Sequence, residues 1–181
     1  MIKCGGGDDG LYEDRKFQQN IQGALANGIQ VGVYFYSGAS NAREAYDEAS
    51  YCISLIRDYQ ITYPVAFDWE LDGDYDSVTE ACETFCNVIS SYGYQPMVYS
   101  NRNRWYNNFD GEKIASKYKV WMAAYFGKFY YDSVRWTYGD ELPNFRYHYD
   151  MWQYSSRCYV DGISGQVDVD IAFFGYANYH V

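Results

Sequence analysis

Asp68 and Glu70 stand two residues apart, on either side of Trp69, at the end of an uncharged run over 61–67. In an extended strand successive side chains alternate faces, so both carboxyls would point the same way, ~6.6 Å apart at ~3.3 Å per residue, with Trp69 opposite. Two facing carboxyl groups, with no metal and no histidine, are the usual equipment for breaking a glycosidic bond. The competing reading is structural, because acidic residues often follow strands where the chain enters a solvated loop, and Leu71, Asp72, Gly73 and Asp74 read as such a loop. The uncharged run argues for an interior strand, and the carboxyl ends of interior strands are where α/β folds carry their chemistry.

Elements able to hold such a pair alternate along the chain. Residues 1–4 read as a strand ending in Gly5, Gly6 and Gly7, and Phe17, Ile21, Ala24 and Leu25 then recur at helical spacing until Gly28. A β-branched and aromatic strand is expected over 29–36 and a helix over 41–58, ahead of the strand over 63–70. Ser77 and Glu80 have the spacing of a capping box, which predicts a helix from there to Tyr92, closed by Gly93. Strands over 96–100 and 120–125 bracket a short helix over 111–118. A long aromatic and polar connection over 126–146 precedes two last strands, 149–154 and 166–171, around the turn dipeptide Asp161-Gly162. Strand and helix in alternation with short connections imply an α/β fold of parallel strands. About seven strands and four helices by this reading are one strand short of a closed eight-stranded β/α barrel.

The 181 residues suit one domain, 1–181, since no Pro-rich, Ser-rich or charge-block linker divides them. A net charge of -10 opposes a phosphate backbone, so nucleic acid is an unfavoured partner. No apolar stretch approaches ~20 residues and no basic-then-apolar leader opens the chain, so neither membrane insertion nor a signal peptide is expected. The 23 Tyr, against 10 Phe and 5 Trp, exceed what a core requires. Tyrosine offers an apolar ring with a polar tip, suited to stacking on sugars as well as to amphipathic surface positions. Five cysteines leave at least one unpaired, and Cys82 and Cys86, one helical turn apart beside Phe85 and Ile89, read as small buried residues. His148 and His180 stand at no ligand spacing from a cysteine pair, so no metal and no cofactor are expected.

Three segments together, Tyr63 through Glu70 (YPVAFDWE), Val31 through Ser37 (VGVYFYS) and Trp152 through Asp168 (WQYSSRCYVDGISGQVD), resemble glycoside hydrolase family 25, the Chalaropsis-type lysozymes. They cover nearly the whole chain in the family's order. The resemblance implies a modified TIM-like β/α barrel and hydrolysis of the β-1,4 bond between N-acetylmuramic acid and N-acetylglucosamine in peptidoglycan, whose glycan strands would be the partner. It makes Glu70 the proton donor, Asp68 the group that stabilises positive charge or orients the substrate's N-acetyl group, and Asp168 a member of the same acidic cluster. Tyr34, Tyr36, Tyr99, Tyr125, Trp152 and Gln153 match the strand ends that line the family's groove. A secreted or cell-wall-associated enzyme, or a phage-encoded lysis enzyme, is the implied setting.

Two departures accompany the resemblance. The family opens on a strand bearing a further active-site Asp, whereas Met1 to Cys4 here matches its second strand. The expectation is therefore an N-terminally shortened barrel with impaired activity, whose exposed strand edges favour a homodimer. Cys158 stands where the family usually has Gly. Of two like charges a few ångströms apart, the less solvated keeps its proton, and Glu70 is expected to be that group. Retaining, inverting and substrate-assisted routes remain open. So do two other functions, a catalytically silent glycan-binding barrel and a glycosidase acting on chitin-like N-acetylated polymers.

Overall fold

One sheet organises the described residues. The computed structural model describes residues 1–127 and 141–174. In chain order the elements are β1 (Ile2–Gly6), β2 (Tyr12–Glu13), α1 (Phe17–Ala26), β3 (Val33–Ser37), α2 (Ala42–Ile56), β4 (Val65–Trp69), α3 (Tyr75–Ser91), β5 (Pro96–Asn101), α4 (Arg102–Asn107), α5 (Gly111–Ala115), β6 (Lys119–Ala123), β7 (Met151–Cys158) and β8 (Val167–Ala172). Strand order across the sheet is β2-β1-β3-β4-β5-β6-β7-β8. The six strands from β1 to β7 pair in parallel, and β2 and β8 close the two ends as antiparallel partners of β1 and β7. Residues of β1 and of β8 line the same cavity, so the sheet is curled into a half-barrel.

Alternation along the strands sorts side chains into two layers. Val65, Phe67 and Trp69 of β4 join Val33 and Phe35 of β3, Val98 of β5, Val120 and Met122 of β6 and Trp152 of β7 in the core beneath the helices. The intervening residues Ala66, Met97, Tyr99, Trp121, Ala123 and Met151 pack inside the curl. The helices cover the outer layer with one apolar stripe each. Ala45, Ala49, Cys52, Ile53 and Ile56 do so in α2, and Val78, Ala81, Cys82, Phe85, Cys86 and Ile89 in α3. Burying each such large side chain contributes about 1.5–3 kcal/mol. All five cysteines are reduced and buried, as small apolar residues.

Several boundaries differ from those expected. β3 starts at Val33 rather than at 29, and Ile29 is exposed. Asp74, not Ser77, caps α3, accepting hydrogen bonds from the Ser77 amide at 3.1 Å and its hydroxyl at 2.8 Å, which places Ser77 inside the first turn. Two elements had no expected counterpart. β2 is only two residues long, and α4 follows directly on β5, too short for helical periodicity to register. Of the connection over 126–146, residues 128–140 lie outside the described residues. No helix among the described residues is long and apolar enough to cross a membrane.

The glycine run after β1 is required by close approach. A Cβ on Gly5 would stand 2.2 Å from the Tyr12 carbonyl oxygen across the β1–β2 hairpin, and one on Gly7 would stand 2.1 Å from Glu48 Oε1. The first neighbour is backbone and has little room to move. Gly5→Ala should therefore lower stability by about 1–3 kcal/mol through forced displacement of β2, read as a lower urea midpoint with unchanged m-value. An unaltered midpoint would show that the hairpin can shift without penalty.

Candidate active site

The register of the central strands lines up four side chains across the inner face. Tyr36 pairs with Asp68, Asp68 with Tyr99, and Tyr99 with Trp121, one on each of β3, β4, β5 and β6. Glu70 follows one step past the end of β4, on the same face as Asp68. From the far end of the curl, Asp168 and Asp170 of β8 bring a second pair two residues apart. The cavity so formed, about 300 Å³, is bounded by Met1, Lys3, Tyr34, Tyr36, Asp68, Glu70, Tyr99, Trp121, Gln153, Asp168 and Asp170. That volume is at the lower end of small-molecule sites.

Solvation grades across the acids. Asp68 is 5% exposed, Glu70 is half-buried and Asp168 is exposed. Burial raises the Asp68 carboxyl well above the usual carboxylate range, with the Glu70 charge adding to it and Lys3 opposing. Glu70 is also raised, by burial first, while Arg104 pulls it back and Asp168 pushes it up. The expected order of solvation is thus reversed. Asp68, inside the strand between two tyrosines, is the less solvated of the pair, and Glu70 beyond the strand end is the more open. Asp68 Oδ1 is buried with no hydrogen-bond partner among the described residues. Leaving a buried acceptor unpaired costs about 1–3 kcal/mol, an expense that a bound donor would remove.

Hydrogen bonds hold the walls. Gln153 Oε1 accepts from the Tyr99 hydroxyl at 2.8 Å and also from the Tyr125 hydroxyl. Trp121 Nε1 donates to Asp170 Oδ1 at 2.7 Å, and Arg104 Nε donates to the Leu71 carbonyl at 3.0 Å, beside Glu70. Burial and the facing carboxylates push Tyr34 and Tyr99 upward, and Tyr125 to about 12, so all three stay hydroxyl donors at neutral pH.

Of the residues expected to line a groove, Tyr34, Tyr36, Tyr99 and Gln153 do so, and Tyr125 stands behind Gln153. Trp152 does not. It is fully buried, stacks on Phe126 and donates from Nε1 to the Ala124 carbonyl at 2.9 Å. Adjacent strand residues point to opposite faces, so Gln153 facing inward sends Trp152 outward. The sequence reading missed Lys3, Trp121, Asp170 and Arg104. Asp170 carried a usable signal, because it stands two residues from Asp168 just as Glu70 does from Asp68. No group of three or more His, Cys, Asp or Glu among the described residues is placed to hold a metal ion.

Two further acids share the outcome of burial. Asp170 is raised from 3.8 to about 7 and Glu48 from 4.5 to about 7, each mainly by desolvation and against hydrogen bonds from Trp121 and from Ser37 and Gly38 respectively. Between the ordinary and the raised value the folded state binds more protons than the unfolded chain, so stability falls as pH rises. The urea midpoint should accordingly drop between pH 5 and pH 8, corresponding to roughly 1–2 kcal/mol for each group. Asp170→Asn, which can still accept from Trp121, should remove its share of that drop. A midpoint flat across this range, or one rising with pH, would contradict the burial of these acids.

Comparison with known proteins gives consistent results. The sequence profile described as glycosyl hydrolases family 25 matches residues 1–163. An autolytic lysozyme of Clostridium acetobutylicum is 26% identical over 164 residues, covering 88% of this chain and 44% of that protein. A lysozyme of Streptococcus phage Cp-1 is 29% identical over 137 residues, covering 70% and 37%. Among solved structures, the modular autolysin LytC from Streptococcus pneumoniae in complex with a synthetic peptidoglycan ligand superposes with a TM-score of 0.72 at 27% identity, over 93% of this chain and 39% of that one. The chain therefore spans less than half the length of each of these relatives.

Proposed function

Because the chain belongs to glycosyl hydrolases family 25, we propose that it is a muramidase that cleaves the β-1,4 bond between N-acetylmuramic acid and N-acetylglucosamine in bacterial peptidoglycan. The observation that carries this reading is the convergence of Asp68 and Glu70 from β4 with Asp168 and Asp170 from β8 on one cavity with tyrosines in its wall. Peptidoglycan strands would be the partner and the bacterial cell wall the place of action, in line with the lysozyme relatives.

The chemistry follows from how the acids are solvated. Glycosidic oxygen is a poor leaving group until it is protonated, and the sugar left behind carries developing positive charge. Glu70 is the more open of the two carboxyls and burial still raises it above its ordinary value, which favours the protonated form that a donor to the leaving oxygen requires. Asp68, beside it, offers the unpaired Oδ1 to the substrate. An acetamido N–H is a donor that would satisfy that atom, which suits a route in which the N-acetyl carbonyl attacks the anomeric carbon. Asp168 supplies negative charge from the opposite wall, a contribution often worth several kcal/mol at such a transition state. The Tyr99 and Tyr125 hydroxyls both point at the Gln153 carbonyl oxygen, which leaves its amide N–H groups to donate into the cavity.

Glu70→Gln should lower the rate of turbidity loss in cell-wall suspensions at least ~100-fold, the scale of a general acid, while binding of glycan fragments persists. Reducing-end analysis of the wild-type products on peptidoglycan and on chitin oligosaccharides identifies the bond cut. Turnover by Glu70→Gln at the wild-type rate would remove Glu70 from the mechanism. Release of fragments from chitin alone would replace the muramidase reading with a chitin-type activity.

A further inference from the structure

Lys3 is the one basic side chain among the lining residues described, in a cavity with four carboxyl side chains. Its ammonium stands 4.9 Å from the ring centre of Tyr36 and 5.6 Å from that of Tyr12, on strands to either side of β1. Rings hold a cation through their quadrupole without neutralising it. Among the described residues the ammonium makes no ion pair or hydrogen bond, so its full charge is left facing the acids. A lysine meant only to anchor the sheet would be expected to find a carboxylate within reach. This one is positioned by aromatic faces and kept unpaired.

We propose that Lys3 is a positioning residue for the catalytic acids: its ammonium, clamped between Tyr12 and Tyr36 at the cavity wall, is the counter-charge that sets how many protons Asp68 and Glu70 hold together at neutral pH. The idea deepens the reading of the same site as a glycosidase centre. Charged and titratable groups face this region from every side: Asp68 and Glu70 on β4, Asp168 and Asp170 on β8, Tyr34 and Tyr36 on β3, Tyr99 on β5, Tyr12 on β2 and Arg104 on α4. Asp8 and Asp14 act on the two β3 tyrosines, and the amino group of Met1 faces Asp170. Within this set Lys3 favours the ionised form of both β4 acids, and Arg104 acts on Glu70. Without Lys3 three or four negative charges would share one small cavity against the Arg104 guanidinium at its edge and the amino group of Met1 beside Asp170. The pair would then retain its protons to higher pH, and the charge needed to face a cationic sugar would form only in more alkaline solution.

Carboxyl-carbon NMR titration of Asp68 and Glu70 tests this without reference to turnover. In Lys3→Met both titrations should move upward by a few tenths of a pH unit to about one unit, the scale on which removing one nearby unit charge acts at the intermediate dielectric of a protein surface. Lys3→Arg should restore the wild-type values, and Tyr12→Leu, which removes one side of the clamp, should give a smaller upward shift. If the wild-type chain hydrolyses peptidoglycan, its pH–rate profile should shift the same way in Lys3→Met and return in Lys3→Arg. Unmoved titrations in a folded Lys3→Met, checked by circular dichroism, would overturn the proposal. Lys3→Gln provides the second neutral variant should Lys3→Met not fold. Failure of both to fold while Lys3→Arg folds would assign Lys3 to structure and also overturn it. A wild-type chain that hydrolyses nothing would defeat the muramidase reading and leave the titrations to decide this one.

Discussion

The alternation of β4 between a dry core and a polar cavity is the constraint on which this structure rests. Val65, Phe67 and Trp69 are removed from water beneath the helices, and this fixes the rotation of the strand about its own axis. Ala66, Asp68 and Glu70 then have only the inner face available. A slip of one residue would send both acids into the apolar layer and three large apolar groups into the cavity, at a penalty of many kcal/mol. The site is therefore positioned by the same burial that stabilises the fold, and its precision derives from the core.

That arrangement imposes an electrostatic burden. Four carboxyl side chains line a cavity of about 300 Å³, and desolvation is the largest of the causes that raise each of them toward the neutral form, with neighbouring carboxylates adding to it for Asp68, Glu70 and Asp170. Few groups offset it: Lys3 held on two aromatic faces, Arg104 at the rim, and the indole of Trp121 on Asp170. One acceptor, Asp68 Oδ1, finds no partner among the described residues. A fold optimised for stability would replace these acids with apolar residues, since buried charges without matched partners destabilise. Retaining them in a partly compensated state is what a site prepared for an incoming donor and a transient cation requires.

The antiparallel hairpin of β7 and β8 matters for the same reason. The parallel strands alone present acids from β4 to an open trough. β8 turns back along β7 and carries Asp168 and Asp170 over to face them, with Gln153 of β7 directly opposite Asp170 in the register. The tyrosines of β3, β5 and the segment after β6 fill the wall between. They stay protonated because each is desolvated next to negative charge, so they act as donors throughout the physiological range.

How much of this was legible in the sequence varies with the range of the interaction involved. The order of the longer strands and helices, the inward pairing of Asp68 with Glu70, and the buried cysteines on one face of α3 are local consequences of periods two and 3.6, and sequence alone determined them. The family segments likewise pointed to Tyr34, Tyr36, Gln153 and Asp168, which the structure brings to one cavity. Trp152 matches the family motif, but alternation along β7 turns it into the core while Gln153 faces the cavity. Only the tertiary structure decided which acid is less solvated, since that depends on Tyr36 and Tyr99 arriving from adjacent strands and on Glu70 standing beyond the strand end. The same holds for Lys3, more than sixty residues from the acids in sequence. Its role exists only once the sheet curls, because no local period encodes how far a sheet bends or which of its ends come to face one another.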